Sequence, residues 1–173
     1  SLTNKTLFMK SLLFTCVLSL SFVFSAASQN TKNFDYLKDM SLQRSSSKIS
    51  EFQNMIASYN IQNLAVFKSD KKTTYDVVFK ETNCHVETTY DASGKIVSSF
   101  ENYNNIKLPT QLTLEVIKAF PNWRILKSQQ YIEYKHLTGP ESTFVIKIKK
   151  DKKSKVLRFK QSNDDVNNYV SLN

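Results

Sequence analysis

Apolar residues recur at helical spacing in two stretches of the chain and alternate with polar ones through most of the rest. Ile49, Phe52, Ile56 and Tyr59, with Met55 alongside, fall three or four apart and predict a helix over 48–59. Ser47, or Ser50 with Gln53 three residues on, supplies its cap. Leu112, Val116, Ile117 and Phe120 make the stripe of a second helix, opened by Leu108-Pro109 and stopped by Pro121. Between and after the helices the period is two. Leu64 to Phe67 is a short apolar run, and Asp70-Lys71-Lys72 reads as a turn. Tyr75, Val77 and Phe79 alternate with polar residues, as do Cys84, Val86, Thr88 and Tyr90. Asp91 to Lys95 is a hairpin turn in which Gly94 supplies positive φ. Ile96, Ser98 and Phe100 then share one side of the returning strand. Residues 123–135 read as one long strand or two bent ones, and 136–142, with Gly139-Pro140, as a hairpin loop. Phe144, Ile146 and Ile148, a turn at 151–154, and Val156, Leu157 and Phe159 complete the strands.

This order is helix, strands, helix, strands. It predicts an α+β fold: an antiparallel sheet with two helices on one face, built from two similar helix-plus-strands units, 48–105 and 106–161. Lys68-Ser69 and Lys127-Ser128 stand at matching places in the two halves. Each half has one apolar helix stripe and one apolar sheet face, which neither can bury alone. Residues 28–47 are polar with scattered Phe34, Tyr36, Leu37, Met40 and Leu42, and read as a linker that docks weakly or starts a helix. Residues 162–173 form a polar tail in which Val166, Tyr169 and Val170 cover a sheet edge.

The first 27 residues change the picture of where the domain works. Met9-Lys10 precedes an uncharged apolar run over 11–24, then Ser25-Ala26-Ala27-Ser28. A basic start, an apolar middle and a small-residue cleavage site predict a secretory signal peptide over 1–27, cut after Ala27. The run is short of the roughly 20 apolar residues that span a bilayer, so no transmembrane segment is expected after cleavage. Phe14-Thr15 stand where lipidation of Cys16 would want small residues. The expected location is periplasmic or secreted.

Composition then removes chemistries. The 173 residues hold two Gly, two Cys and two His, with 24 Lys+Arg against 15 Asp+Glu and a formal charge of +9. Gly-rich phosphate loops, zinc-finger arrays and disulfide scaffolds are excluded. After cleavage Cys84 is the lone cysteine, read as a small buried hydrophobe. His85 is adjacent, and adjacent strand residues point to opposite faces, so the two cannot form a catalytic pair. Asp76, Glu87, Glu101, Glu115 and Glu133 show no paired spacing for a hydrolase or a calcium loop and read as outward residues. No catalytic residue, cofactor site or metal ligand is predicted.

Tyr90-Asp91-x-x-Gly94-Lys95, Leu108-Pro109, the helix ending Phe120-Pro121-Asn122-Trp123, Gly139 and the paired strands to Phe159 carry a resemblance. From Tyr90 to Lys160 the chain resembles the PepSY-like, or beta-lactamase-inhibitor-like (BLIP-like), periplasmic proteins, and the earlier half resembles them in architecture only. The resemblance implies a small exported α+β domain without catalysis, with binding or inhibitory roles. Proteins of this type sometimes bear a nicotinate-nucleotide adenylyltransferase name. That activity needs a close His-x-Gly-His-type pair, whereas His85 and His136 are far apart in the chain.

Candidate surface residues follow from charge and aromaticity. Lys147, Lys149, Lys150, Lys152, Lys153, Lys155, Arg158 and Lys160 face only Asp151 in their stretch. They read either as a patch for an anionic partner or as a solvated hairpin whose lysines discourage edge pairing. Trp123 and Tyr131 share a face on an unbroken strand, with Tyr134 on the other. Trp123, Tyr131, Lys147, Lys149, Lys150, Lys152 and Lys153 are therefore the candidate partner-binding surface. The functional expectation is a non-enzymatic exported binding module, an inhibitor or regulator of an envelope or secreted protein of acidic character. An envelope structural or adhesion component is the alternative, with an enzyme of unrecognised site behind it. Nucleic acid is not an expected partner of an exported chain.

Overall fold

Among the described residues seven strands alternate inward and outward side chains, and the inward side of their sheet meets three short α-helices. A computed structural model describes residues 32–43, 46–64, 67, 73–162 and 168–172. The expected signal peptide, Ala65-Val66 of the first apolar run, the turn at 70–72 and Val166 lie outside the described residues. The elements are α1 (Phe34–Ser41), α2 (Ser47–Ser58), β1 (Thr74–Glu81), β2 (Cys84–Asp91), β3 (Ile96–Asn104), α3 (Thr110–Ala119), β4 (Arg124–Lys135), β5 (Gly139–Lys150), β6 (Lys153–Gln161) and β7 (Tyr169–Ser171). The strands form one sheet in chain order, each antiparallel to the next. Among the described residues no helix is long and apolar enough to cross a membrane.

All three helices lie on one face. Under α1 and α2, Tyr36, Met40, Ile49 and Ile56 pack with Tyr75, Val86, Tyr90, Ile96 and Ile132. Under α3, Leu112 and Val116 pack with Phe144, Ile146, Ile148, Leu157 and Phe159. Burying each such side chain is worth about 1.5–3 kcal/mol, so these two clusters hold the layers together. Ile117, expected in the α3 stripe, is instead 55% exposed. The third helix, α1, arises within 28–47, where Tyr36 and Met40 stand four apart and are both buried. The tail does cover an edge: β7 pairs with the end of β6, and Tyr169 meets Phe144 edge-on at 5.7 Å.

Two β-bulges set which side chains reach the core. On β3, Tyr90 faces Ile96 and Thr89 faces Ser98, so Val97 is an extra residue. The alternation therefore shifts phase. Ile96 is buried, but Ser99, Glu101 and Tyr103 follow it inward, while Phe100 turns to the other face. This corrects two expectations, that Ile96, Ser98 and Phe100 share a side and that Glu101 points out. On β4, Ile125 faces Ile148 and Lys127 faces Lys147, leaving Leu126 as the extra residue.

Glu101, 0% exposed, is the polar centre of the first cluster. Its Oε1 accepts hydrogen bonds from the Tyr36 hydroxyl at 2.6 Å and the Ser99 hydroxyl at 2.8 Å. Its Oε2 accepts from the Gln53 amide at 2.9 Å and the Tyr103 hydroxyl at 2.7 Å. Four donors fill the lone-pair sites of one carboxylate. They come from α1, α2 and β3, so one side chain ties both helices to the sheet. Gln53 serves this cage, and the N-cap of α2 is Ser46, which makes no side-chain cap hydrogen bond; this corrects the expected capping pair. Burial, and then the Glu101 charge, push the Tyr36 and Tyr103 phenols well above their ordinary values.

The Asp91–Lys95 turn is a second fixed point. Asp91 Oδ1 accepts from the Ser93 amide, the Ser93 hydroxyl and the Lys95 amide, and Gly94 adopts φ 88°. Just before α1, buried Asn33 donates to the carbonyls of Ala57 and Gly94 and accepts from the Ile96 amide. Partial burial disfavours the Asp91 charge, but hydrogen bonds from Ser93, Lys95 and Gly94 outweigh it and hold the carboxyl below its ordinary value. After the later turn at 136–138, Gly139 and Pro140, expected in a loop, already pair with Lys135 and Tyr134. The β5–β6 register begins only at Thr143, so the missing Pro140 N–H breaks no ladder bond on that side.

Two stability outcomes follow. Glu101→Gln should cost about 2–3 kcal/mol, because charge-assisted hydrogen bonds are lost and an amide faces donors. At about 2–4 °C per kcal/mol for a chain of this size, calorimetry should show a fall in Tm of about 4–12 °C, larger for Glu101→Ala. Asp91→Ala should cost about 1 kcal/mol at pH 7. Since the folded carboxyl is the more acidic, its stabilisation exists above the ordinary value and fades as pH falls through the folded one. The Tm gap to wild type should therefore narrow below about pH 4; a gap that persists into stronger acid contradicts the assignment.

Candidate functional site: the uncovered face of the sheet

With the helices on one side, the opposite side of the sheet carries the outward halves of the strands. β1 presents Asp76, Val78 and Lys80; β2 presents His85, Glu87 and Thr89; β3 presents Ser98 and Phe100. Tyr131 on β4 lies beside Phe100, ring centroids 6.2 Å apart. Beside this pair the face carries three acids, Asp76, Glu87 and Glu133, together with Lys135. Asp76, Val78, Glu87, Thr89, Phe100 and Glu133 help to line a depression of about 500 Å³. Asp76 accepts a hydrogen bond from Thr89 at 2.7 Å, and Glu87 meets His85 at 2.8 Å.

Toward β5 and β6 the sign reverses. Arg124 stands opposite Lys149, and Lys127 opposite Lys147, on the same outward side. Arg158 stands opposite Val145, and Val156 opposite Lys147. The ion pairs between described residues are His85–Glu87, Lys95–Asp35 and Lys160–Glu141, none of which neutralises these five cations. Like charges directly across a ladder repel, by about 0.2–1 kcal/mol per pair. The face thus holds two such pairs in succession, an arrangement that an anion would relieve.

The candidate residues separate by face. The bulge at Leu126 puts Trp123 on the helix side, packed with Phe120 against the second cluster at 6.1 Å. Tyr131 stays on the uncovered side, so the two do not share a face as an unbroken strand requires. Lys147 and Lys149 are on the uncovered face beside Lys127 and Arg124. Lys150 pairs with Lys153 at the hairpin end, and Lys152 is in the turn between them. Trp123, Arg124, Lys149 and Lys150 meet with Asn122 and Asp151 around a depression of about 650 Å³ at that end of the sheet. Lys155 alternates to the helix side, its ammonium 5.3 Å from the Phe120 ring centre and 5.9 Å from that of Trp123. Arg124 and Lys127 were missed by reading the lysine run alone. Their signal is the register that lays β4 against β5.

The thiol does not belong to this face. Cys84 packs against the first core cluster, while His85 meets Glu87 on the other side of the sheet. Burial, then the charges of Glu101 and Glu81, push the thiol up to about 12. Among the described residues no group of three or more His, Cys, Asp and Glu side chains converges to hold a metal ion. No family model, no curated protein and no solved structure matches the chain.

Relief of the cross-strand repulsion is measurable. Lys147→Glu would place opposite charges across from Lys127 and should stabilise by about 0.2–1 kcal/mol at low salt. The gain should shrink at about 1 M salt, where the screening length is about 3 Å. A Tm that falls, or a gain indifferent to salt, contradicts the repulsive pairing.

Proposed function

We propose that this chain is an exported, non-catalytic binding module that engages a protein partner through the uncovered face of its sheet. The observation that carries the reading is that face. The described helices pack on the other side, and what they leave bare combines an aromatic pair with a cluster of cations at one end. Interfaces of this kind set aromatic anchors among charges that steer the partner. The core-facing thiol with its raised value supports a non-catalytic role.

The proposal extends to origin and place. The helix-then-three-strands order occurs twice, α2 with β1–β3 and α3 with β4–β6, which supports two similar units and a PepSY-like, beta-lactamase-inhibitor-like ancestry. The segment over 1–27 supports export to the periplasm or beyond, and hence an envelope or secreted partner whose activity the module inhibits or regulates.

Site-specific photo-crosslinking tests the face. A crosslinking residue at Phe100 or Tyr131 should trap one discrete partner in envelope extract of the producing cells. The same residue at Leu114, exposed on α3, should not. Equal trapping from Leu114, or none from the sheet positions, overturns the assignment. N-terminal sequencing of the exported protein should begin at Ser28; a mature protein retaining residues 1–27 removes the export claim.

A further inference from the structure

Resting on that reading of the face, we propose that its basic end holds an extended acidic segment of the partner protein, laid along β5 with carboxylates at alternate positions. The cations form a ladder. Lys149 with Arg124 makes one rung and Lys147 with Lys127 the next, and Arg158 lies beyond, opposite Val145. These rungs are two residues apart on β5, about 6.6–6.8 Å along the strand. An extended chain projects every second side chain at the same step, so alternate Asp or Glu residues meet successive rungs. Val145 and Val156 lie between the cations and receive the aliphatic parts of such side chains.

The rest of the face selects a protein over other polyanions. Asp76, Glu87 and Glu133 occupy its other half. An anionic bilayer or a polysaccharide spread over the whole face would meet those acids, whereas a protein strand laid along residues 145–149 of β5 stops short of Glu133 and its opposite residue Glu141. The same segment would neutralise the two like-charge pairs, so the rungs repel least when it is bound.

Fluorescence anisotropy with two labelled peptides tests this. One carries four Glu at alternate positions among Ser and Val; the other has the same composition with the four Glu contiguous. The alternating peptide should bind about fivefold or more tightly than the contiguous one. Lys127→Gln with Lys147→Gln should weaken it about tenfold and flatten its salt dependence, with Tm retained or slightly raised by the lost repulsion. Lys152→Gln with Lys153→Gln, in and beside the turn, should change binding less than about twofold. Equal affinity for the two peptides, equal loss in the turn variant, or tighter capture by phosphatidylglycerol vesicles or a sulfated polysaccharide overturns the proposal. Crosslinking from Phe100 and Tyr131 does not use these cations. Peptide failure with successful crosslinking therefore removes this inference alone, and failure of both removes the module reading beneath it.

Discussion

A buried carboxylate without a cation is the constraint on which the fold turns. Glu101 takes no lysine or arginine; two phenols, a hydroxyl and an amide supply its contacts. Burying a charge is tolerated only when its hydrogen bonds are complete, and completing them here needs three elements at once. Tyr36 arrives only if α1 docks, Gln53 only if α2 docks in register, and Ser99 and Tyr103 only if β3 carries its bulge. Hydrophobic burial drives the helices onto the sheet, but it is non-directional. The cage adds direction: it fixes α1 and α2 to one face and one position, which leaves the other face free.

The elements were legible because their periods were clean. α2 fell within a residue of its expected bounds, and the alternation in β1, β2 and β5 predicted the inward residues. Phase was not legible. An extra residue in a strand has no signature of its own, and Val97 and Leu126 are as strand-like as their neighbours. Each reverses every assignment on one side of it. The bulge at Val97 sends Glu101 in and Phe100 out; the bulge at Leu126 separates Trp123 from Tyr131. α1 was hidden for another reason. It has eight residues and only Tyr36 and Met40 fully buried, too little for a periodic signal, and its stability comes from the Tyr36–Glu101 bond and the Tyr36–Tyr134 ring contact at 5.0 Å.

The candidate surface was half legible for the same reason. The lysine run over 147–160 was visible as charge, but a run has no faces until a register is assigned. Strand alternation removes Lys155 to the helix side, where it caps an aromatic pair. Register adds Arg124 and Lys127 from far upstream. A linear cluster thereby becomes a two-dimensional array, and its spacing, rather than its total charge, gives it a specific match to a ligand.

That array lies where the fold can best tolerate it. The repulsion across two rungs amounts to about 0.4–2 kcal/mol in all, set against Phe144, Ile146 and Ile148 beneath the same strand, each 0% exposed, whose burial contributes about 1.5–3 kcal/mol apiece. β5 is also flanked on both sides by paired strands, so its ladder bonds hold the rungs in place despite the strain between them. Placed instead on β1 or β7, the outermost strands, the same charges would push a strand away from its single neighbour. The cations are therefore mounted on interior strands, each paired on both sides, and that pairing keeps their spacing fixed when no ligand is present. A preorganised array loses little freedom on binding, which makes geometry a usable basis for selecting one acidic sequence over another of equal charge.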